Sequence, residues 1–322
     1  MMKAEALCTE EHAPRCRARC PLHVDMREIC RLMNKGDDAR ARETFASAAA
    51  LPRVTAKLCD APCIAACRRA DVDVGVQIGA LERHLAADAY WAQKPMFPRF
   101  RTKHTAAIVG AGAAGLTAAQ YLAAKGIQVT VFERGPAAGG ALLGLNGVTQ
   151  TDVDKDIAPF SHLVAWRFSV EVGTAVSFAA LAEEYGAVLC TGTLPDVSYL
   201  TPDPGTLRIA GTNLFLAGRR LTRNGSFSDS LCSGKRAGIS MERFLKGVSL
   251  TAMRVNESAY ETELYTPIDG VEPIPALPEN AGYDENGARA EASRCLDCHC
   301  LVCVRECVFM QKFDRFPRLY IR

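Results

Sequence analysis

The sequence predicts an α/β domain of the Rossmann type, preceded by an all-α cysteine-rich domain and followed by a small cysteine-rich tail. Residues 106–135 run through strand, glycine-rich turn, helix and strand, which is the order of a dinucleotide-binding unit. Of the 14 cysteines, seven lie between Cys8 and Cys67 and five between Cys295 and Cys307, so the α/β part contains only two. We therefore divide the chain into residues 1–100, 101–250 and 251–322.

Composition narrows the class of protein. A chain of 322 residues is long enough for two or three domains, and 48% hydrophobic residues is ordinary for a soluble protein. The formal net charge of +2 gives no indication of nucleic-acid binding. The sequence has no apolar run of about 20 residues that could span a bilayer, and its start lacks the apolar core of a signal peptide. We expect a cytoplasmic protein whose reduced cysteines are metal ligands or redox groups rather than disulfides.

Several consecutive signals predict the dinucleotide-binding unit. A short apolar strand, AAIVG, leads into Gly110, Gly112 and Gly115, which form the pattern G-x-G-x-x-G. An alanine-rich helix follows, and a second strand, IQVTVFE, ends in Glu133. Glycines at these positions let the backbone approach a pyrophosphate at the helix N-terminus, where free N–H groups favour an anion. We expect Glu133 to accept a hydrogen bond from a ribose hydroxyl.

The two ends of the chain share one spacing of possible ligands, in which two, four and three residues separate four positions. In the tail these positions are Cys295, Cys298, Cys303 and Cys307, and near the N-terminus they are Cys8, Glu11, Cys16 and Cys20. The tail also contains Cys300, and Pro21 follows Cys20. Crowded cysteine runs of this kind, with proline after the last cysteine, favour iron–sulfur clusters over zinc, which prefers two separated C-x2-C pairs.

A third cysteine group lies in CDAPCIAAC. Cys59, Cys63 and Cys67 recur at every fourth residue, a spacing that predicts one face of a helical stretch.

Longer stretches resemble a known family. The segments ERGPAAGGALL, YGAVLCTGT and TNLFLAGRRL, with the helix SGKRAGISMERFLKG, resemble the FAD-binding parts of flavoproteins that have two dinucleotide domains. CPLHVDMREI, LCDAPCIAACRR and VQIGALERHL stand ahead of them. Together, residues 1–250 resemble the small subunit of glutamate synthase and the N-terminal half of dihydropyrimidine dehydrogenase. The resemblance implies FAD held by Gly110, Gly112, Ala113, Ala114, Gly115, Glu133, Arg134, Gly140, Gly192, Gly218 and Arg219.

The resemblance also implies two [4Fe-4S] clusters in the N-terminal domain. One would use Cys20, Cys59 and Cys63, with Glu82 as the fourth ligand. The other would use Cys8, Cys16 and Cys67, but Glu11 stands where the family has its second cysteine. Glu11 or His12 could ligate iron, a three-iron cluster could form, or this cluster could be missing.

Two departures from the family bear on function. The family inserts an NAD(P)H-binding domain between the T-G turn and the closing segment, whereas here about two dozen residues join Gly192 to Gly218, and the chain has no second G-x-G-x-x-G. Arg219 stands where the family has an aspartate beside the flavin. This arginine could be solvated or paired with the pyrophosphate, or its charge could stabilise reduced, anionic flavin.

The tail resembles C-terminal extensions of larger flavin and iron–sulfur proteins related to heterodisulfide reductases. That likeness implies one [4Fe-4S] cluster held by Cys295, Cys298 and Cys303, with Cys300 or Cys307 as the fourth ligand. The last residues, RFPRLYIR, are basic and aromatic, and we expect them to dock a partner subunit, the alternative being a solvated tail.

The combined expectation is an electron-transfer subunit that carries FAD and two or three [4Fe-4S] clusters. Without a substrate domain or catalytic residues of its own, it would exchange electrons with other subunits of a redox complex: iron–sulfur, ferredoxin-like or heterodisulfide-reductase-like proteins. The alternatives are a self-contained NAD(P)H-dependent reductase of the glutamate synthase type, and a non-catalytic scaffold that holds zinc.

Overall fold

The computed structural model describes residues 9–87, 94–192, 200–221, 225–278 and 282–300, together with residues 302, 305 and 312. Three of the predicted ligands, Cys8, Cys303 and Cys307, lie outside the described residues.

The N-terminal domain is helical, as predicted. Asp25 and Asp37 each cap the helix that follows by accepting a hydrogen bond from a first-turn N–H, at 3.1 and 3.3 Å. Ile29, Met33 and Phe45 are fully buried where the second and third helices pack together. The helices are α1 (Arg15–Arg19), α2 (Met26–Asn34), α3 (Asp38–Ala48), α4 (Pro52–Leu58), α5 (Pro62–Ala65) and α6 (Ile78–Leu85).

The prediction that Cys59, Cys63 and Cys67 share one helical face was wrong. Cys59 is extended at the end of α4, and Cys67 is extended ahead of a 3-10 turn, so only Cys63 is helical. The helix breaks because Ala61 adopts a left-handed conformation with φ 46°, and Pro62, which lacks an N–H, opens α5. Because of this break, Cys59 and Cys63 lie near Cys20, whereas Cys67 lies near Cys16.

The second part of the chain forms the predicted α/β domain around a five-stranded parallel sheet. The strands are β1 (Thr105–Val109), β2 (Gln128–Glu133), β3 (Val164–Phe168), β4 (Ala187–Cys190) and β5 (Leu214–Leu216). Their order in the sheet is β3-β2-β1-β4-β5. The order reverses between β1 and β4, and in such sheets the ligand crevice opens beyond the carboxyl ends of those two strands.

Helices cover both faces of this sheet. α7 (Ala113–Ala124) packs against the long helix α10 (Phe227–Leu245). The two helices are so close that a Cβ on Gly234 of α10 would stand 2.2 Å from the carbonyl oxygen of Ala114 in α7. α10 begins six residues earlier than the predicted segment, after Ser226, which caps its first turn. The remaining helices are α8 (Gln150–Ser161), α9 (Phe178–Glu184) and α10 (Phe227–Leu245).

The two domains are joined through α4. The carboxylate of Asp156 in α8 accepts hydrogen bonds from the backbone N–H groups of Arg53 and Val54, at 3.2 and 3.0 Å, and from the Arg53 guanidinium at 3.3 Å. Asp156 is 1% exposed, so this contact is fully desolvated. It fixes the start of α4, and therefore the position of Cys59 at its end, relative to the sheet.

The segment after α10 returns along the N-terminal domain. Backbone and side-chain hydrogen bonds tie Tyr260 to Ala18 at 2.9 Å and Thr262 to Ala13 at 2.6 Å. The chain then forms α11 (Glu285–Ser293), which packs against α2 and α6. The tail is thereby brought onto the N-terminal domain.

A buried ionic network holds this tail. The guanidinium of Arg294, which is 1% exposed, donates to Glu291 at 2.5 Å, to Asp73 at 3.0 Å and to the carbonyl of Val74 at 2.5 Å. Arg69 pairs with the other side of Asp73 at 2.9 Å. In the part of the chain that the structure describes, no helix is long and apolar enough to cross a membrane.

Candidate functional site

The glycine turn after β1 has the backbone geometry that its sequence predicts. Gly110 has φ +100°, a conformation that side chains disfavour. A Cβ on Gly115 would lie 1.9 Å from the carbonyl oxygen of Gly110, so only glycine allows α7 to begin this close to the strand. Gly112, which caps α7, has open space where its Cβ would be. The first N–H groups of α7 therefore face an open crevice.

The crevice consists of two adjoining cavities of about 410 and 490 Å³ that share Gly112, Ala141, Thr191 and Gly192. The first extends along β2, and the second runs across the start of α7 towards α10. Ten of the eleven residues predicted to bind FAD line one cavity or the other: Gly110, Gly112, Ala113, Ala114, Glu133, Arg134, Gly140, Gly192, Gly218 and Arg219. The eleventh, Gly115, acts through close packing instead.

Glu133 is held in place by backbone groups. One carboxylate oxygen accepts a hydrogen bond from Ala111 N–H at 2.7 Å and the other from Gly135 N–H at 2.9 Å. A carboxylate oxygen can accept two hydrogen bonds, so each retains capacity for a ribose hydroxyl. Thr191 donates from its hydroxyl to the Val109 carbonyl at 3.0 Å and so fixes the opposite wall. An elongated crevice with this lining fits a dinucleotide.

The first cysteine group consists of Cys20, Cys59 and Cys63 with Glu82. Each of these thiols interacts electrostatically with Glu82, which lies on α6, and Cys63 also interacts with both other thiols. Burial raises the pKa of Cys20, and hydrogen bonds from the N–H groups of Val24, Leu22 and His23 oppose that rise. Such N–H groups stabilise a thiolate ligand. The structure thus brings together the four residues that the family resemblance implied.

Glu82 is unusual in this group. It is 2% exposed, and its Oε2 atom has no hydrogen-bond partner among the described residues. Burial raises its pKa to about 8. A buried carboxyl oxygen without a partner costs stability in the absence of a ligand, so its position among three thiols fits a fourth bond to iron.

The second cysteine group combines both ends of the chain. The Cys16 thiol interacts electrostatically with those of Cys295, Cys67 and Cys298. Cys30 on α2, which has no ligand-like spacing to its neighbours in the sequence, lies beside them. Glu11 and His12, by contrast, are exposed at the surface. Cys300 is buried, and its N–H donates to Glu10 at 2.7 Å.

The described residues include no group of three or more His, Cys, Asp or Glu side chains arranged to hold a metal ion. A single zinc gathers its ligands tightly, with metal–sulfur distances of about 2.3 Å. A [4Fe-4S] cluster binds its four cysteines on four separate irons, so its ligands lie farther apart than those of a single zinc ion.

The crevice and the first cysteine group meet at the end of α4. Leu58 lines the second cavity, and the next residue is Cys59. The following carboxylate, Asp60, accepts hydrogen bonds from Ser226 at 3.1 Å and Ser228 at 2.8 Å, at the start of α10. Sequence reasoning missed Leu58 and Asp60 because nothing in their local pattern marks a contact with residues some 170 positions away.

Comparisons with known proteins match two separate parts of the chain. Residues 1–94 match the family described as dihydropyrimidine dehydrogenase domain II, 4Fe-4S cluster, and residues 108–146 match the NAD(P)-binding Rossmann-like domain. The small chain of NADPH glutamate synthase from Bacillus subtilis is 33% identical over 54% of this chain and 36% of its own length.

Two further relatives are named as subunits. Subunit beta of NADPH-Fe(3+) oxidoreductase from Geobacter sulfurreducens is 31% identical over 56% of this chain and 28% of its own length. The NAD-dependent dihydropyrimidine dehydrogenase subunit PreT from Salmonella typhimurium is 31% identical over 59% and 48%. A thioredoxin reductase structure from Gloeobacter violaceus matches 47% of this chain and 99% of its own at 12% identity, with a TM-score of 0.30.

The chain spans less than half the length of each of these curated relatives. Its first part is similar to the iron–sulfur domain of dihydropyrimidine dehydrogenase and the part that follows is similar to NAD(P)-binding Rossmann-like domains, while the similar curated proteins are oxidoreductases that include glutamate synthase small chains.

Proposed function

We propose that the chain is an electron-transfer subunit that binds FAD in the crevice and [4Fe-4S] clusters at the cysteine groups, within a larger cytoplasmic redox complex. The observation that carries this proposal is the junction at Leu58 and Cys59, where a cavity wall continues directly into an iron-ligand group. When bound, FAD exchanges electrons in pairs or singly, whereas clusters exchange single electrons.

The occupant of the crevice is proposed to be FAD rather than NAD(P). A nicotinamide transfers hydride, which a cluster cannot accept, so a lone dinucleotide site beside cysteine groups suits a flavin. β4 and β5 pair directly, from Val188 with Leu214 to Cys190 with Leu216, at the place where the resemblance implied an inserted NAD(P)H domain. Partners are therefore proposed to supply and remove the electrons. Support comes from relatives that are themselves named as subunits.

The roles of the chain's own residues follow from their contacts. Gly110 and Gly112 let the α7 N-terminus approach the pyrophosphate, and Glu133 holds a ribose hydroxyl. Asp156 and Asp60 keep the end of α4 against the α/β domain, so the distance from the crevice to Cys59 stays fixed. Arg219 lines the second cavity and adds positive charge there.

The test is to purify the full chain anaerobically and to measure flavin, iron and acid-labile sulfide per chain. We expect one FAD and about eight irons, or about twelve if the tail forms a cluster of its own. NAD(P)H should not reduce an artificial dye through the chain. Zinc without flavin would contradict the proposal, whereas released NAD(P) or dye reduction would favour the self-contained reductase.

Three substitutions at two positions test the flavin site and the cluster site separately. Gly112→Ala puts a methyl group into open space, so the fold should persist with its iron while bound flavin is lost. Glu82→Leu should lose about four irons and keep flavin, whereas Glu82→Gln, which retains a ligating oxygen, should lose fewer. Equal flavin and iron content in all three variants and the wild type would exclude the proposed sites.

A further inference from the structure

Backbone contacts on both sides fix the position of the tail cysteines. The Arg27 guanidinium of α2 donates to the carbonyl of Cys298 at 2.6 Å. On the other side, the Glu10 carboxylate accepts from Cys300 N–H at 2.7 Å and meets His299 Nδ1 at 2.6 Å. Residues 298–300 are thus clamped between α2 and the segment that follows Cys8.

The docking of α11 places the other tail cysteine. Glu291, which is fully buried, accepts from Gln77 N–H at 2.9 Å and from Arg294 at 2.5 Å, and Arg69 reaches the Arg294 carbonyl at 3.5 Å. Cys295 follows directly and packs against the core that also contacts Cys16 and Cys67.

The repeated spacing explains why the tail fits here. In the shared pattern Cys295 corresponds to Cys8, and Cys298 corresponds to Glu11, the position where the N-terminal copy lacks a thiol. The structure sets residues 298–300 beside Glu10, which adjoins that very position. The first two cysteines of the tail copy, Cys295 and Cys298, therefore lie beside Cys16, which is the third position of the N-terminal copy.

We propose that Cys16, Cys67, Cys295 and Cys298 bind one [4Fe-4S] cluster whose ligands come from both ends of the chain. This inference rests on the iron–sulfur part of the proposed function. It assigns two of the five tail cysteines to the second cysteine group, in place of a separate tail cluster, because the contacts described above hold Cys298 against α2 and bring both thiols beside Cys16.

Cys30, which is 1% exposed on α2, lies beside Cys295 but belongs to neither copy of the repeated spacing, so it stays outside the proposed ligand set.

The experiment counts iron and sulfide in full chains purified anaerobically as wild type, Cys16→Ser, Cys298→Ser and the double variant. If both thiols bind one cluster, each single variant loses about four irons and the double variant loses no more than either single variant. Cys232→Ser is the control, since Cys232 is a buried free cysteine in α10 whose thiol donates to the carbonyl of Glu257 at 3.2 Å. It should lose none.

A second measurement does not depend on the fold of the Cys298 variant. Iodoacetamide should leave Cys298 and Cys295 unlabelled in the wild type and label them in Cys16→Ser, as read by peptide mass. A double variant that loses about eight irons, or protection of Cys298 in Cys16→Ser, would overturn this inference alone. A wild type without iron would overturn the proposed function with it.

Discussion

The buried network around Asp73 gives a quantitative prediction about the tail. Asp73 accepts from Arg69 at 2.9 Å, from Arg294 at 3.0 Å and from the N–H groups of Val74 and Ile274 at 2.6 and 2.8 Å. Asp73→Asn keeps the shape but removes the charge, so Arg69 and Arg294, which are 3% and 1% exposed, lose the carboxylate that they share. Breaking a buried pair in this way costs about 3–5 kcal/mol.

This loss of free energy weakens the docking of the tail, because Arg294 immediately follows α11. The free energy for local opening of α11 should drop by the same amount, and exchange of its amide hydrogens should accelerate roughly 100- to 4,000-fold. Hydrogen–deuterium exchange of peptides covering residues 285–293, measured by mass spectrometry on anaerobically purified chains, detects such a change directly.

Asp71→Asn is the matched control. Asp71 lies two residues away, its side chain is 40% exposed, and it pairs with Arg15 at 3.2 Å. An exposed pair contributes about 0–1 kcal/mol, so α11 should exchange within about fivefold of the wild type. If Asp73→Asn behaves like this control, the network does not hold the tail, and the reasoning is refuted.

Three further predictions follow from contacts described above. Gly115→Ala should abolish flavin binding and also destabilise the fold, unlike Gly112→Ala, because its Cβ would meet the Gly110 carbonyl at 1.9 Å; flavin absorbance and urea denaturation measure the two effects. Gly234→Ala, whose Cβ would stand 2.2 Å from the Ala114 carbonyl, should lower the free energy of unfolding by about 1–3 kcal/mol in the same denaturation. The hydrogen bond from Arg69 holds the pKa of Asp73 below its usual range. The Asp73 carboxylate therefore stabilises the docked tail fully above the unfolded carboxyl pKa of about 3.9, and this contribution is lost as the pH falls from there through the lower pKa of the folded state. Exchange of α11, corrected for the intrinsic pH dependence, should therefore accelerate below about pH 4 in the wild type but not in Asp73→Asn.

The crevice could be predicted from sequence because its signals are local. Gly110 and Gly115 each meet a steric requirement within one turn, Gly112 leaves the crevice open beside them, and Glu133 follows at the end of the next strand. The break at Ala61 also has a local signal, since Pro62 disfavours a helical conformation at the residue before it and so opposes a continuous helix through the three cysteines.

The second cysteine group could not be predicted in the same way. Cys16 and Cys295 are separated by 278 intervening residues, and the contacts that bring them together are buried charges such as Arg294, whose partners no local pattern identifies. Cys30 has no ligand-like spacing to any neighbour, and only its burial beside Cys295 reveals it.

The position of the tail makes the two cysteine groups separable by experiment. The first group draws all its members from residues 20–82, and Asp156 anchors its connection to the crevice independently of α11. The second group depends on α11, and hence on Asp73, for two of its four ligands under the proposed assignment. In Asp73→Asn, a chelator should therefore remove about four irons faster than in the wild type, while the remaining irons and the flavin leave at unchanged rates. Equal acceleration for all irons would mean that the tail supports the whole domain rather than one cluster.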